Sequence, residues 1–190
     1  MSARFRTIVA DPPWHYERFA RNVGGRYGDG TQEGWTVRTL PYGSMTVDQI
    51  KTLPVKGLAD RDCRLFLWTT NRYLRDAFDI ATAWGFGYRQ MVVWHKTGNP
   101  NPWIGHIAPN HAEFLLVCSR GKPERLAHLP SNVLAVDANP ARLQHSQKPD
   151  AFLDYIERVS PGPYAELFAR RARLGWSYPI GDQALGGAAA

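Results

Sequence analysis

Short apolar runs separated by turn-forming residues set the pattern of this chain. Thr7–Ala10, Arg64–Thr70, Tyr88–Trp94 and Ala112–Cys118 are too short and too apolar for surface helices, so they predict buried strands. Asn132–Val136 predicts a weaker strand and Tyr164–Phe168 the last clear one. Between these runs the rhythm changes to helical spacing. Thr46, with Gln49 three residues on, predicts a capping box, and Met45 and Ile50 fit the hydrophobic staple around it; Leu53-Pro54 stops that helix. Leu74, Ala77, Phe78, Ala81 and Trp84 share one helical face, with Asn71 as the expected cap and Gly85 just past the end. Pro149 suits the first position of another helix, whose inward face is Phe152, Leu153, Ile156 and Val159. Strands alternating with helices predict an α/β fold: a largely parallel central sheet with helices on both faces. The expected organisation is one domain over residues 1–183, followed by a disordered Ala-Gly tail, 184–190.

The stretches that break this pattern are long. Residues 15–45 are rich in Gly, Arg and aromatics, and residues 96–111 hold Gly98, Pro100, Pro102, Gly105 and Pro109. Loops of such length inside a compact domain are usually functional. The first begins directly after Asp11-Pro12-Pro13-Trp14, the densest piece of candidate chemistry in the chain. A residue before proline is pushed out of the helical region, so Asp11 continues the strand. Two prolines then carry the chain outward in a stiff line. A carboxylate thus stands at the strand's carboxyl end with an indole just beyond, at the rim where open α/β sheets bind ligands. This suits attack by a conjugated exocyclic amine such as N6 of adenine. Asp11 and the Pro12 carbonyl can each accept one N–H, favouring a pyramidal nitrogen, while Trp14 can stack on the base, a contact worth about 1–3 kcal/mol.

Bulk properties narrow the class. A chain of 190 residues with 44% hydrophobic content is about one globular domain. The net charge of +6 favours an anionic partner. Cys63 and Cys118 sit in or beside apolar runs and are expected as buried thiols. No secretory signal and no membrane-spanning run is seen, so the expected compartment is cytoplasmic. No histidine–cysteine set has a zinc spacing, and no metal is expected. The Gly-x-Gly-x-x-Gly signature of nicotinamide enzymes does not occur after a strand.

Beyond Asp-Pro-Pro-Trp, further segments recur in a familiar order: Leu40–Met45, Leu65–Asn71, Ala83–Phe86, Val93–Thr97, Glu113–Val117, Ser146–Asp150, Ile156–Arg158 and Glu166–Arg170. With these, the chain from about Thr7 to Gln183 resembles the MT-A70 type of S-adenosylmethionine-dependent adenine-N6 methyltransferases. The resemblance implies a Rossmann-like methyltransferase fold in circularly permuted order, the catalytic strand first and the cofactor-binding strand late. It implies Asp11, Pro12, Pro13 and Trp14 as the catalytic motif. It implies S-adenosylmethionine as cofactor, held by Asp11, Lys148, Glu166, Phe168, Arg170, Arg173, Asp182 and Gln183, with Lys148 on the carboxylate and Glu166 and Arg170 on the ribose. For the substrate it implies Trp14, His15, Tyr16, Tyr42, Lys96 and Asn110. Two places depart from the pattern of the mRNA-modifying members: Ala172 and Arg173 replace a His-Asn pair, and Pro109-Asn110-His111 stands where many relatives have Arg-Asn.

The substrate expected is adenine in DNA, since the catalytic strand begins too early for the zinc-finger region of eukaryotic relatives. RNA adenosine, or a catalytically silent nucleic-acid-binding partner, are the alternatives, and silent relatives have lost the Asp-Pro-Pro-Trp kept here. The expected partner is nucleic acid, without a membrane, with a homodimer or heterodimer left open.

Overall fold

The computed structural model describes residues 4–15, 20–21, 35–36, 43–98, 107–138 and 148–181. Its elements run β1 (Phe5–Ala10), β2 (Ala20–Arg21), β3 (Trp35–Thr36), α1 (Val47–Lys51), α2 (Val55–Leu58), β4 (Ala59–Thr69), α3 (Leu74–Ala83), β5 (Gly87–Thr97), β6 (Ala112–Arg120), β7 (Val133–Asp137), α4 (Asp150–Val159), β8 (Tyr164–Leu167) and β9 (Trp176–Ser177). Seven strands form one sheet in the order β7-β5-β6-β4-β1-β8-β9, while β2 and β3 pair separately. β1 lies inside the sheet, parallel to β4 and β8 on either side. β6 alone runs against its neighbours, antiparallel to both β4 and β5. This is the mostly parallel, Rossmann-like α/β sheet that the alternation predicts.

Consecutive strand residues point to opposite faces, and the core divides accordingly. Ile8, Ala10, Leu65, Leu67, Leu116 and Cys118 pack with Ile50 of α1 and with Ala77, Ile80 and Ala81 of α3. Val9, Phe66, Trp68, Val92, Trp94 and Leu115 pack on the other face with Phe152, Leu153 and Ile156 of α4. Helices therefore cover both faces, and β1, buried from both sides, has no polar edge to spare. The capping box at Thr46 forms in full: its hydroxyl accepts from the Gln49 N–H and the Gln49 side chain accepts from the Thr46 N–H. Gly85 ends the α3 segment at φ +83°, as a C′ glycine does. Both cysteines are free and buried, and burial pushes each thiol up to about 12.

Several local expectations shift. Asn71 does not cap α3: it opens a 3₁₀ turn, Asn71–Tyr73, and its amide is donated instead to Asn110 Oδ1 at 2.8 Å. α1 ends before Leu53-Pro54 as expected, but a short α2 follows it with Pro54 at its N-cap. Pro149 is likewise the N-cap of α4, one position before the one expected. The run Tyr88–Trp94 is only half buried. β7 pairs with Val93–Thr97 alone, so the start of β5, Gly87–Gln90, lies at the sheet's edge and is exposed. β8 stops at Leu167 because Phe168 turns to φ 63°, and the two-residue β9 beyond it has no periodic signal to announce it. The tail at 184–190 and much of the two long loops lie outside the described residues.

Candidate active site

The site is built where β1 ends. Asp11 keeps the strand register by donating its N–H to the Leu167 carbonyl at 3.3 Å. The prolines then turn the chain: the Trp14 N–H reaches back to the Pro12 carbonyl at 2.8 Å, and Met45 N–H donates to Pro13 at 2.9 Å. Trp14 and Met45 form a bridge, so the two ends of the long first loop meet at this point. The Trp14 ring is 5% exposed and stacks on Tyr73, with centroids 4.8 Å apart and planes 14° from parallel. The Tyr73 hydroxyl donates to the His15 carbonyl, and His15 Nδ1 lies 2.7 Å from Ser44 Oγ. One face of the motif's indole is thus occupied by a tyrosine from the start of the α3 region.

Around Asp11 the charges alternate. Lys148 Nζ lies 3.0 Å from Asp11 Oδ2 and 3.1 Å from Glu113 Oε2, and 5.2 Å from the centre of the Trp68 ring. Arg170 reaches the same Asp11 oxygen at 3.5 Å. Glu113 also pairs with Lys96, whose ammonium sits 4.7 Å over Trp94. The reversed direction of β6 explains how Glu113 arrives. It stands near the beginning of its strand, yet it pairs with Lys96, near the end of β5, and shares Lys148 with Asp11, just past the end of β1. Burial alone would raise the Glu113 pKa; Lys148 and Lys96 outweigh it and hold the carboxyl below its ordinary range. Burial would lower that of Lys148, but Asp11 and Glu113 carry it above the usual lysine value. Glu166 feels Arg171, Arg170 and Arg173 too, but they do not outweigh its burial. Burial first, and the Asp11 charge second, push it up to about 7, and its Oε2 is buried without a hydrogen-bond partner among the described residues.

The sequence profile of MT-A70 matches residues 5–183. The chain belongs to the MT-A70 family. It is 31% identical to the type II methyltransferase M.MunI of a Mycoplasma species, an alignment covering 91% of this chain and 75% of that protein. It is 31% identical to a putative N(6)-adenosine-methyltransferase MT-A70-like protein of Medicago truncatula, over 96% of this chain and 27% of the other. With the human N(6)-adenosine-methyltransferase catalytic subunit METTL3 it shares 30% identity over 88% of its own length and 26% of the human chain. It therefore spans about a quarter of the length of those larger relatives.

In this MT-A70 chain the pocket beside Asp11 is lined by Trp68, Lys148, Pro149, Phe152, Leu153, Glu166, Phe168, Arg170 and Arg171. Of the residues singled out from sequence, Asp11, Lys148, Glu166, Phe168 and Arg170 are brought together here. Phe168 is held at φ 63°, a left-handed conformation that costs a non-glycine residue about 1–2 kcal/mol. Its N–H donates to the Ile180 carbonyl at 2.9 Å, and Gly181 packs so closely that a Cβ there would lie 2.4 Å from the ring. Lys96 joins through Glu113. Asn110 is tied to Asn71, and His15 is exposed beside Ser44. Arg173 is not in the pocket lining: its guanidinium is bound to Glu157 and Asp154 on α4. Tyr16, Tyr42, Asp182 and Gln183 lie outside the described residues.

Sequence reasoning passed over Glu113, Trp68 and Tyr73. For Glu113 a signal exists, since it is the one charged residue in the run from Ala112 to Cys118. Among the described residues no group of three or more His, Cys, Asp or Glu is placed to hold a metal, and no helix is long and apolar enough to cross a membrane.

Proposed function

We propose that this chain transfers a methyl group from S-adenosylmethionine to the N6 amine of adenine in DNA. The observation that carries the reading is the pocket beside Asp11, which joins two cations, an unpartnered buried carboxyl oxygen on Glu166 and three aromatic rings at a sheet rim. That set matches the chemistry of the cofactor, a zwitterionic amino acid joined to a nucleoside. Lys148 would hold its carboxylate end, Glu166 and Arg170 its ribose hydroxyls, and Phe168, Phe152 and Trp68 its apolar surfaces. When bound, S-adenosylmethionine supplies a methyl group already activated by the sulfonium, so alignment is most of the work left to the protein.

Asp11 and Pro12 perform that alignment on the substrate side. The Pro12 carbonyl already accepts the Trp14 N–H, and its second lone pair is left to take one N–H of the amine. Asp11 takes the other. Lys148 and Arg170 hold the Asp11 carboxylate in place by ion pairs at 3.0 and 3.5 Å, in a site where it is only 7% exposed. Trp14, braced by Tyr73, fixes the turn that presents both acceptors.

DNA is preferred as the substrate because this chain matches the type II methyltransferase over most of that protein, and the adenosine methyltransferases over only about a quarter of theirs. A base inside a duplex must be flipped out to reach a sheet rim, at a cost of a few kcal/mol that is least for an unpaired base. We therefore expect single-stranded or mismatched DNA to be methylated faster than perfect duplex by this chain alone, with a second subunit needed for duplex. The test is incubation with labelled S-adenosylmethionine and matched single-stranded DNA, mismatched DNA, duplex DNA and RNA oligonucleotides, alongside a sizing measurement. Label on RNA alone would overturn the DNA assignment. A monomer fastest on perfect duplex would overturn the strand preference.

A further inference from the structure

The pocket has two walls, and a set of ionic contacts that the proposed reaction does not use ties them together. One wall is the start of α4, with Pro149, Phe152 and Leu153; the other is the segment after β8, with Phe168 and Arg170. Asp150, Asp154 and Glu157 follow one another at spacings of four and three, so they stand on one side of α4. Arg173 grips Glu157 through two hydrogen bonds, Nε to Oε1 at 2.9 Å and Nη2 to Oε2 at 2.7 Å, and Asp154 at 2.6 Å. Trp176 adds its indole N–H to Glu157 Oε1 at 2.7 Å. The Tyr178 hydroxyl closes the turn, accepting from the Arg173 N–H and donating to its carbonyl at 3.1 Å. Arg171 completes the seam, with Nη1 on Asp150 at 2.6 Å and Nη2 on the Lys148 carbonyl at 3.4 Å.

We propose that Arg173, with Glu157 as its main partner, is a positioning residue that sets the spacing of the two pocket walls and so the affinity for the methyl donor. The inference rests on the S-adenosylmethionine reading of the pocket. Three features favour positioning over direct contact. The paired geometry is planar and directional, so it fixes orientation as well as distance. Arg173 Nε and Nη2 are already committed to α4 through three hydrogen bonds, which fix the guanidinium against that helix, and Arg173 is not among the residues that line the pocket. The same seam reaches the backbone of Lys148, the cation that faces Asp11.

The experiment is calorimetric titration of the full chain with S-adenosylmethionine, for wild type, Arg173→Ala, Glu157→Gln and the double variant, with thermal melts and initial rates in parallel. Each single variant is expected to raise Kd about tenfold, the scale of losing one charge-assisted hydrogen bond. The double variant should be no worse than Arg173→Ala alone, because that variant already removes the Glu157 contact. KM for the donor should rise with Kd, while kcat at saturating donor stays within about twofold. Arg173→Lys, which keeps the charge and loses the paired geometry, should fall between wild type and Arg173→Ala. Weakening by Arg173→Ala with no effect of Glu157→Gln would mean that Arg173 touches the ligand itself, and would overturn the proposal. So would unchanged Kd in both, whatever the melting temperatures. Where Arg173→Ala does not fold, Glu157→Gln decides alone. No binding by wild type would bring down the cofactor reading, and this inference with it.

Discussion

Two buried polar clusters stand at opposite ends of the central strands, and they are built on different rules. At the end where β1 begins, Thr7 Oγ1 lies 2.7 Å from Ser160 Oγ and donates to the Pro161 carbonyl at 2.7 Å. Arg64 spreads its guanidinium over the carbonyls of Pro123, Glu124 and Val159 and over Ser160 Oγ, at 2.9–3.3 Å. One charge meets neutral acceptors there. At the other end charge meets charge, with Asp11 and Glu113 interleaved with Lys96, Lys148 and Arg170, and Glu166 is left with an orphan oxygen. The first arrangement fastens loops to the sheet. The second surrounds a buried carboxylate with cations and leaves an acceptor open, which is what a binding site requires. Burial and polarity are common to both; the difference lies in charge crowding and incomplete pairing.

The comparison breaks most visibly at Asp11. Asp11→Ala should lower methyl transfer by about 10³-fold or more, in the range lost with a positioned acid–base group, while the melting temperature changes little. Full activity in a folded Asp11→Ala protein would remove the distinction altogether. Arg64→Met should do the reverse. Losing its fork leaves several carbonyls short of a donor and should cost about 2–3 kcal/mol of stability by urea denaturation, with the rate per folded molecule unchanged.

Glu166 sharpens the contrast through pH. Its carboxyl is raised from 4.5 to about 7 in the folded chain, chiefly by burial, so between these values the folded state holds a proton that the unfolded state has lost. The stabilisation is complete below about pH 4.5 and is lost as pH rises through about 7. Wild type should therefore lose about 3 kcal/mol more than Glu166→Gln between pH 4.5 and pH 8, measured by urea melts of both. Parallel curves would mean that the oxygen is not buried as described. The smallest effect is expected at Tyr73. Tyr73→Leu removes the stack on Trp14 and the hydroxyl on His15, and should slow transfer about tenfold with donor affinity unchanged. A matching loss of donor affinity would place Tyr73 with the pocket walls instead.

The features legible in the sequence were those whose causes are local. Asp11 could be placed at a strand end because the run Thr7–Ala10 and the two prolines act on their immediate neighbours. The Thr46 cap followed from Gln49, three residues away. What escaped depended on direction and distance. Nothing between Ala112 and Cys118 says that this strand runs backwards, and without that reversal Glu113 cannot be paired with Lys148. Nor does the strand at Tyr88 reveal that β7 covers only half of it. Arg173 lay between these cases. The resemblance sent it to the cofactor, yet Asp150, Asp154 and Glu157 on one helical side already offered it a different partner.

The reversed strand has one more consequence. Because β5 arrives at the rim and β6 departs from it, Thr97 and Ala112 are both rim residues, and the connection between them begins and ends beside the site. The Trp14–Met45 bridge does the same for the connection between His15 and Gly43. Doubling the length of a closed loop costs only about 0.6 kcal/mol in chain entropy. Both connections are therefore free to lengthen, shorten or change sequence without disturbing the sheet, and natural variation can rewrite what the site accepts while the rim that does the chemistry stays the same.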